Sequence, residues 1–216
     1  MKTMTILAFV LLFTLSPENT HCRQTVSVRP DLSRSQNIGQ WDLDGTGSWR
    51  IDAGKLILSK AGTPSGPIRR PAALAILKTK LLRRVTVEAD IRSTASPDVA
   101  RRDLDVIVGY ETPTRFYYIH LAAISDDVHN GIFLVNNADR VRIDSGKGKP
   151  HLTDFSWHRV RVERDGQSGR IAVYMDGSRI PVLQATDTTI VRGRAGFGSF
   201  DDTGVFRNVV ITGTTR

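Results

Sequence analysis

The sequence predicts an all-β chain, two antiparallel sheets packed face to face as a sandwich, and three observations carry that prediction. Apolar and polar residues alternate with a period of two in one segment after another, the pattern of half-buried strands. Stretches with the 3.6-residue period of an amphipathic helix are absent. Between the alternating segments stand short clusters of Gly, Pro, Asn and Asp, the residues that turns require. Many short strands with this punctuation form two facing layers.

Taken in order, Ser48 to Asp52 and Lys55 to Ser59 flank the turn pair Ala53-Gly54, and Ala73 to Lys78 follows the loop Pro64-Ser65-Gly66-Pro67. Val85 to Arg92 places Val85, Val87, Ala89 and Ile91 on a dry face, and Thr86, Glu88, Asp90 and Arg92 on a wet one. Asp103 to Tyr110 repeats the pattern, with Leu104, Val106 and Val108 inward and Asp103 and Asp105 outward. After Glu111-Thr112-Pro113, Phe116 to Ala122 separates Tyr117, Ile119 and Leu121 from Phe116, Tyr118 and His120. Gly131 to Asn136, Arg140 to Ile143, Trp157 to Arg164, Arg170 to Asp176, Arg194 to Phe200 and Val205 to Thr212 complete the strands, with turns at Asp165-Gly166, Gly169 and Asp176-Gly177. Asp31 to Gln40 reads as a loop or an edge. If the three strands from Val85 to Ala122 are neighbours in chain order, Glu88, Asp90, Arg92, Asp103, Asp105, Tyr118 and His120 share one exposed sheet face. Planar hydrogen-bonding groups beside aromatic surfaces suit a carbohydrate groove.

The N-terminus sets the expected compartment. Lys2 precedes an unbroken apolar run, Ile6 to Leu15, followed by polar Ser16 to His21, which is the layout of a signal peptide spanning residues 1–22. The run is about half of the ~20 residues a membrane-spanning helix needs, and nothing later is long or apolar enough, so no transmembrane segment is expected. The expectation is a secreted or periplasmic protein with residues 23–216 forming one domain. A lipid anchor on Cys22 ranks second, because Thr20 and His21 do not form the small-residue stretch that precedes a lipidated cysteine. Cys22 is the only cysteine, which excludes a disulfide framework and thiolate chemistry from the mature chain. Cleavage removes one lysine and one glutamate, so the net charge stays at +8. Basic pairs at Arg69-Arg70, Arg83-Arg84 and Arg101-Arg102 are scattered rather than run together, and no aromatic platform is interleaved with them. Nucleic acid is therefore not an expected partner, whereas an anionic polysaccharide remains one.

Three stretches together bear a resemblance: Trp157 to Arg164 (WHRVRVER), Gly169 to Gly177 (GRIAVYMDG), and Gly196-Phe197-Gly198 leading to Phe206-Arg207-Asn208-Val209. The chain resembles the concanavalin A-like jelly-roll superfamily, nearest to the laminin-G-like and 3-keto-disaccharide hydrolase-like domains of secreted bacterial proteins. The resemblance implies two facing antiparallel sheets, one of them concave, with ligands held in the concave face or at the loops. It leaves the activity open, because lectins, glycoside hydrolases, polysaccharide lyases and adhesion modules share the fold.

Four groups of residues are candidates for chemistry. Asp103-Leu104-Asp105 echoes the acidic strand of family-16 glycoside hydrolases, but Ile107 and Val108 stand where a third carboxylate would fall, which speaks against that mechanism. His120 as general acid or base, assisted by Tyr118, Asp105 or Glu88, is the candidate catalytic group, with Asp103, Asp90 and Arg92 as substrate contacts. The loop Asp126-Asp127-Val128-His129-Asn130-Gly131 is read first as a tight turn, and His129 and Asn130 are its candidate substrate contacts. The resemblance also implies a structural Ca²⁺, for which Asp201 and Asp202, or Asp42 and Asp44, offer oxygen ligands. Trp41, Trp49 and Trp157 are assigned to core packing before sugar stacking. The reading is a secreted carbohydrate-recognising protein whose enzymatic form would be a glycoside hydrolase. A noncatalytic glycan-binding or adhesion module is the alternative, and a lyase acting on an anionic glycan ranks third.

Overall fold

The computed structural model describes residues 24–63, 66–146 and 148–215. The signal-peptide layout and Cys22 lie outside them. The strands are β1 (Thr25–Val28), β2 (Trp41–Gly45), β3 (Ser48–Asp52), β4 (Lys55–Lys60), β5 (Ala73–Leu77), β6 (Arg84–Ser93), β7 (Asp103–Thr112), β8 (Arg115–Ala122), β9 (Gly131–Asn136), β10 (Val141–Arg142), β11 (His158–Asp165), β12 (Arg170–Met175), β13 (Leu183–Thr186), β14 (Arg194–Ser199) and β15 (Gly204–Thr214). The segment expected to be a loop or an edge ends in a 3-10 helix, Ser35–Gln40. At the β3–β4 hairpin, Ala53 and Gly54 take φ values of 47° and 74°, the paired positive angles that match the twist of two adjoining strands.

The strands form two antiparallel sheets. One runs β13-β12-β11-β6-β15-β4-β3, with β1 also paired to β15, and the other runs β10-β9-β8-β7-β14-β5-β2. Between them lies one core, to which β6 contributes Val85, Val87, Ala89 and Ile91, β7 Leu104, Val106 and Val108, and β8 Tyr117, Ile119 and Leu121. These are the residues that the period of two assigns to the dry face. Trp41 and Trp49 belong to the same core, against Phe197 and Phe206.

The assumed adjacency of β6 and β7 is not what the chain adopts. β6 sits between β11 and β15 in one sheet, whereas β7 sits between β8 and β14 in the other. The connection between them carries the chain across the sandwich. Alternation tells which side of a strand is dry, and it is silent on which sheet the strand joins.

Candidate functional site

On the outer face of the seven-stranded sheet, β7 and β8 pair so that Asp105 stands opposite His120, and His120 opposite Gly131 of β9. Asp103, two residues before Asp105, shares that face. On the other flank of Asp105 the register partner is Gly198 of β14, which adds no side chain. Further along the face, Leu74, Ile76, Ile107, Tyr110, Phe116, Tyr118, Phe133 and Val135 form a second buried cluster, against which Ile68 and Phe200 pack. Tyr118 stacks on Phe133 with ring centroids 5.1 Å apart, and Phe200 lies 5.7 Å from Tyr118 and 5.3 Å from His120. Arg140 donates to the Tyr118 hydroxyl at 3.0 Å and spreads its guanidinium over Phe200 at 4.4 Å. The face expected to be open is therefore closed, with Tyr118 and Asp105 at 0 % exposure and His120 at 2 %.

The polar end of this face is densely wired. The Phe200 N–H donates to Asp103 at 3.1 Å, the Ser199 hydroxyl lies 3.4 Å from the same carboxylate, and the Asp103 N–H donates to Asp202 at 2.9 Å. His120 Nε2 is 3.3 Å from Asp103 Oδ2, in ion-pair range but off the hydrogen-bond axis. Its Nδ1 meets the Val128 carbonyl at 3.1 Å. Both oxygens of Asp105 are buried without a hydrogen-bond partner among the described residues.

The electrostatics follow from this wiring. Burial acts to raise the Asp103 carboxyl, but the contact with His120, its charge and the Phe200 N–H outweigh burial and hold it below the usual carboxylate range. Asp105 is pushed well above that range, first by burial and then by the Asp103 charge. Burial and Asp103 also raise Asp201, and they lift Asp202 to about 6. Tyr118 rises well above 10 through burial, with Arg140 opposing the shift.

The loop before β9 keeps the turn role read from its residues. Asp126 accepts the N–H groups of Val128 and His129, each at 2.9 Å, and touches His129 Nδ1 at 2.8 Å. Asn130 has φ 50° and donates to the Lys149 carbonyl at 2.8 Å. His129 nevertheless borders the site, its ring centred 5.4 Å from that of His120. One residue that sequence reasoning missed ties the loop down. Arg142 donates to the carbonyls of Asp126 (2.5 Å), His129 (3.3 Å), Asn130 (3.1 Å) and Gly146 (2.7 Å), and pairs with Asp144 at 2.9 Å. Gly131 leaves the room, since a Cβ there would meet the Arg142 guanidinium at 2.8 Å. Phe200 and Arg140 were missed as well. The signal available for a closed face was the sequence FYYIHLA of β8, which is apolar on both sides.

Glu88, Asp90 and Arg92 require correction, because they occupy the outer face of the eight-stranded sheet, on the opposite side of the sandwich from His120. There Arg159 pairs with Glu88 at 2.5 Å and Asp90 at 3.2 Å, Asn208 donates to Asp90 at 2.6 Å, and Arg92 lies 4.7 Å from the centre of the Trp157 ring. They cannot meet one ligand together with His120. Among the calcium candidates, Asp42 and Asp44 are engaged by cations already: Arg194 and Lys78 contact the first, and Arg70 the second at 2.9 Å. Asp201 and Asp202 do converge with Asp103, one carboxylate oxygen of each lying within 4.8 Å of the others. That oxygen-only set, in which burial and the Asp103 charge push Asp201 and Asp202 upward in pKa, fits a hard cation such as Ca²⁺ in donor type.

The sequence matches no family model, and no curated protein matches it. Solved structures do match. A carbohydrate-binding module, CBM66, from Bacillus subtilis superposes with a TM-score of 0.55 at 16 % identity, over 79 % of this chain and 93 % of that one. A Bacillus subtilis protein of unknown function with a galectin-like fold gives 0.62 at 12 %, over 90 % and 100 %. The Bauhinia forficata lectin in complex with GalNAc gives 0.56 at 15 %, over 90 % and 99 %. No helix among the described residues is long and apolar enough to cross a membrane. At these identities the likeness speaks to architecture alone, and it agrees with the two facing sheets: the chain has an antiparallel two-sheet jelly-roll fold.

Proposed function

We propose that this is a secreted carbohydrate-binding protein, acting without catalysis, that takes a sugar at the rim formed by Phe200, Arg140, His129, Asp126 and Asp201. The observation that carries the reading is the partly exposed Phe200 ring, backed by the Arg140 guanidinium at 4.4 Å and followed directly by the exposed carboxylate of Asp201. A sugar ring offers an apolar face for stacking and hydroxyls for charged acceptors and donors, and this rim presents both. A module named for carbohydrate binding and a lectin holding GalNAc on the same architecture support it. The noncatalytic form is favoured because a proton-transfer group must reach its substrate, and His120, Asp105 and Tyr118 are sealed beneath Phe200 and Arg140. Glycoside hydrolysis is the second reading, favoured by the direction in which burial and the Asp103 charge push the Asp105 carboxyl, upward, as a general acid requires.

A glycan array followed by calorimetry on the purified protein tests this. Phe200→Ala should weaken binding about tenfold, roughly 1.4 kcal/mol, without unfolding the protein. Anionic glycans should bind less tightly as salt approaches physiological strength, where the screening length falls to about 8 Å. An array without ligands, or unchanged affinity in the variant, overturns the proposal, and turnover of reporter glycosides shifts it to the hydrolase reading. The proposed export rests on the Lys2 and Ile6 to Leu15 layout. Intact mass of the protein collected outside the cytoplasm should correspond to a chain starting near Arg23, and an added diacylglycerol would identify the Cys22 anchor instead.

A further inference from the structure

From the buried polar end of the seven-stranded sheet we infer that Asp103, Asp105 and His120 bind one divalent transition-metal ion, through two carboxylates and an imidazole nitrogen. The inference does not depend on the sugar reading. The three side chains are brought together by register alone: Asp105 and His120 are cross-strand partners, and Asp103 shares the outer face of β7. One ligand atom of each lies within 4.8 Å of the other two. An ion with bonds of about 2.0–2.2 Å draws its ligands to roughly 4 Å or less from one another, a closure that side-chain rotation supplies.

Two further observations point to a ligand rather than to a mere cluster of acids. Asp105 is completely buried, yet neither carboxylate oxygen has a hydrogen-bond partner among the described residues. Buried polar groups are almost always satisfied, so a carboxylate left bare calls for something to accept its lone pairs. The second observation concerns the histidine. The Val128 carbonyl beside Nδ1 can only accept, so Nδ1 carries the hydrogen and, in the neutral ring, Nε2 presents its lone pair. Nε2 lies 3.3 Å from Asp103 Oδ2, but its in-plane lone-pair direction misses that oxygen and meets no hydrogen-bond partner among the described residues. Electron-rich atoms so close to one another are reconciled by a cation between them. Imidazole ligands that bind through Nε2 are oriented in this way, by a backbone carbonyl on the other nitrogen.

The surroundings are suited to the task. The Phe200 N–H and the Ser199 hydroxyl hold the Asp103 carboxylate in place. Asp201, exposed, and Asp202 lie next to Asp103 and form a carboxylate path from solvent. A nitrogen ligand within a three-residue protein set selects Zn²⁺, Mn²⁺ or Co²⁺ over Ca²⁺, which takes six or more oxygens.

The experiment strips the purified protein with chelator and titrates it with Zn²⁺, Mn²⁺, Co²⁺ and Ca²⁺ by calorimetry. The expected result is one Zn²⁺ or Mn²⁺ per chain, bound at least about tenfold more tightly than Ca²⁺. Asp105→Asn, which keeps the shape and replaces an unpartnered carboxyl oxygen with an amide that ligates metal poorly, should fold and lose affinity by more than the roughly 10–100-fold that even an outer-sphere change costs. His120→Gln should do the same. On the unaltered protein, Co²⁺ should develop visible absorption bands of a nitrogen-containing site, a readout that needs no variant. Failure of every transition metal to bind, or Zn²⁺ binding that Asp105→Asn leaves unchanged, overturns the inference. So does a preference for Ca²⁺ insensitive to Asp105, which would place the ion on Asp103, Asp201 and Asp202.

Discussion

Replacing Arg142 with methionine removes the clamp on the loop that carries Val128 and His129, and the structure lets the cost be worked out. The Arg142 side chain, 17 % exposed, gives hydrogen bonds to four carbonyl groups and to Asp144, whose own side chain is 1 % exposed. Methionine keeps most of the length and apolar contact and deletes every donor. The carbonyls nearest the surface recover water, and the residual cost there is small. Among the described residues, Asp144 then keeps the Ile132 N–H at 2.8 Å and loses its cation, Arg142. Breaking one side of a buried pair costs about 3–5 kcal/mol, a large share of the roughly 5–15 kcal/mol that holds a domain together. Urea unfolding should show a loss of that order. Hydrogen exchange should show the amides of Val128 and His129 opening well before the strands on either side. A loss below about 1 kcal/mol with unchanged exchange in the loop would refute the claim that Arg142 holds it.

Two further outcomes are expected away from the candidate site. Tyr117→Phe deletes a hydroxyl that donates to Asp187 at 2.5 Å and accepts from the Ile190 N–H at 3.0 Å, so chemical denaturation should show a loss of about 1–3 kcal/mol from the unsatisfied N–H and carboxylate. For Asp90, burial raises the carboxyl, but Asn208 and Arg159 outweigh it and hold it below 3.8. A depressed acid stabilises above its unfolded value and loses that contribution as pH falls through the folded one. Denaturation midpoints of the unaltered protein should therefore drop as pH is lowered below about 4, and Asp90→Asn should flatten that limb. Parallel acid limbs in the two proteins would show that the ion pairs around Asp90 carry no net stability.

The fold was legible because strand alternation is a local property. Val85, Val87, Ala89 and Ile91 face the core, as do Leu104, Val106 and Val108, simply because successive side chains of a strand point to opposite sides. Of the three strands expected to be neighbours, β7 and β8 do pair, because a short turn joins them, and that brings Asp103, Asp105, Tyr118 and His120 to one face, though a buried one. β2 and β13 lacked a clear signal: Trp41 to Gly45 leaves Leu43 exposed, and Leu183 to Thr186 is only four residues long.

What the amino-acid sequence determined by itself was the class of fold, the dry side of each main strand, the turn chemistry of Ala53-Gly54 and Asn130, and the side of β7 and β8 on which Asp103, Asp105 and His120 stand. Only the tertiary structure decided that Glu88, Asp90 and Arg92 stand on the far side of the sandwich. The segment between β6 and β7 changes sheets, and no local pattern records that step. Only the tertiary structure, too, closed Phe200 and Arg140 over Tyr118 and ran Arg142 under the loop of His129, through contacts between groups distant in sequence or on separate strands. Periodicity is set by neighbours along the chain. Burial of the outer face is set by which loops fold back over it, and that depends on the whole molecule at once.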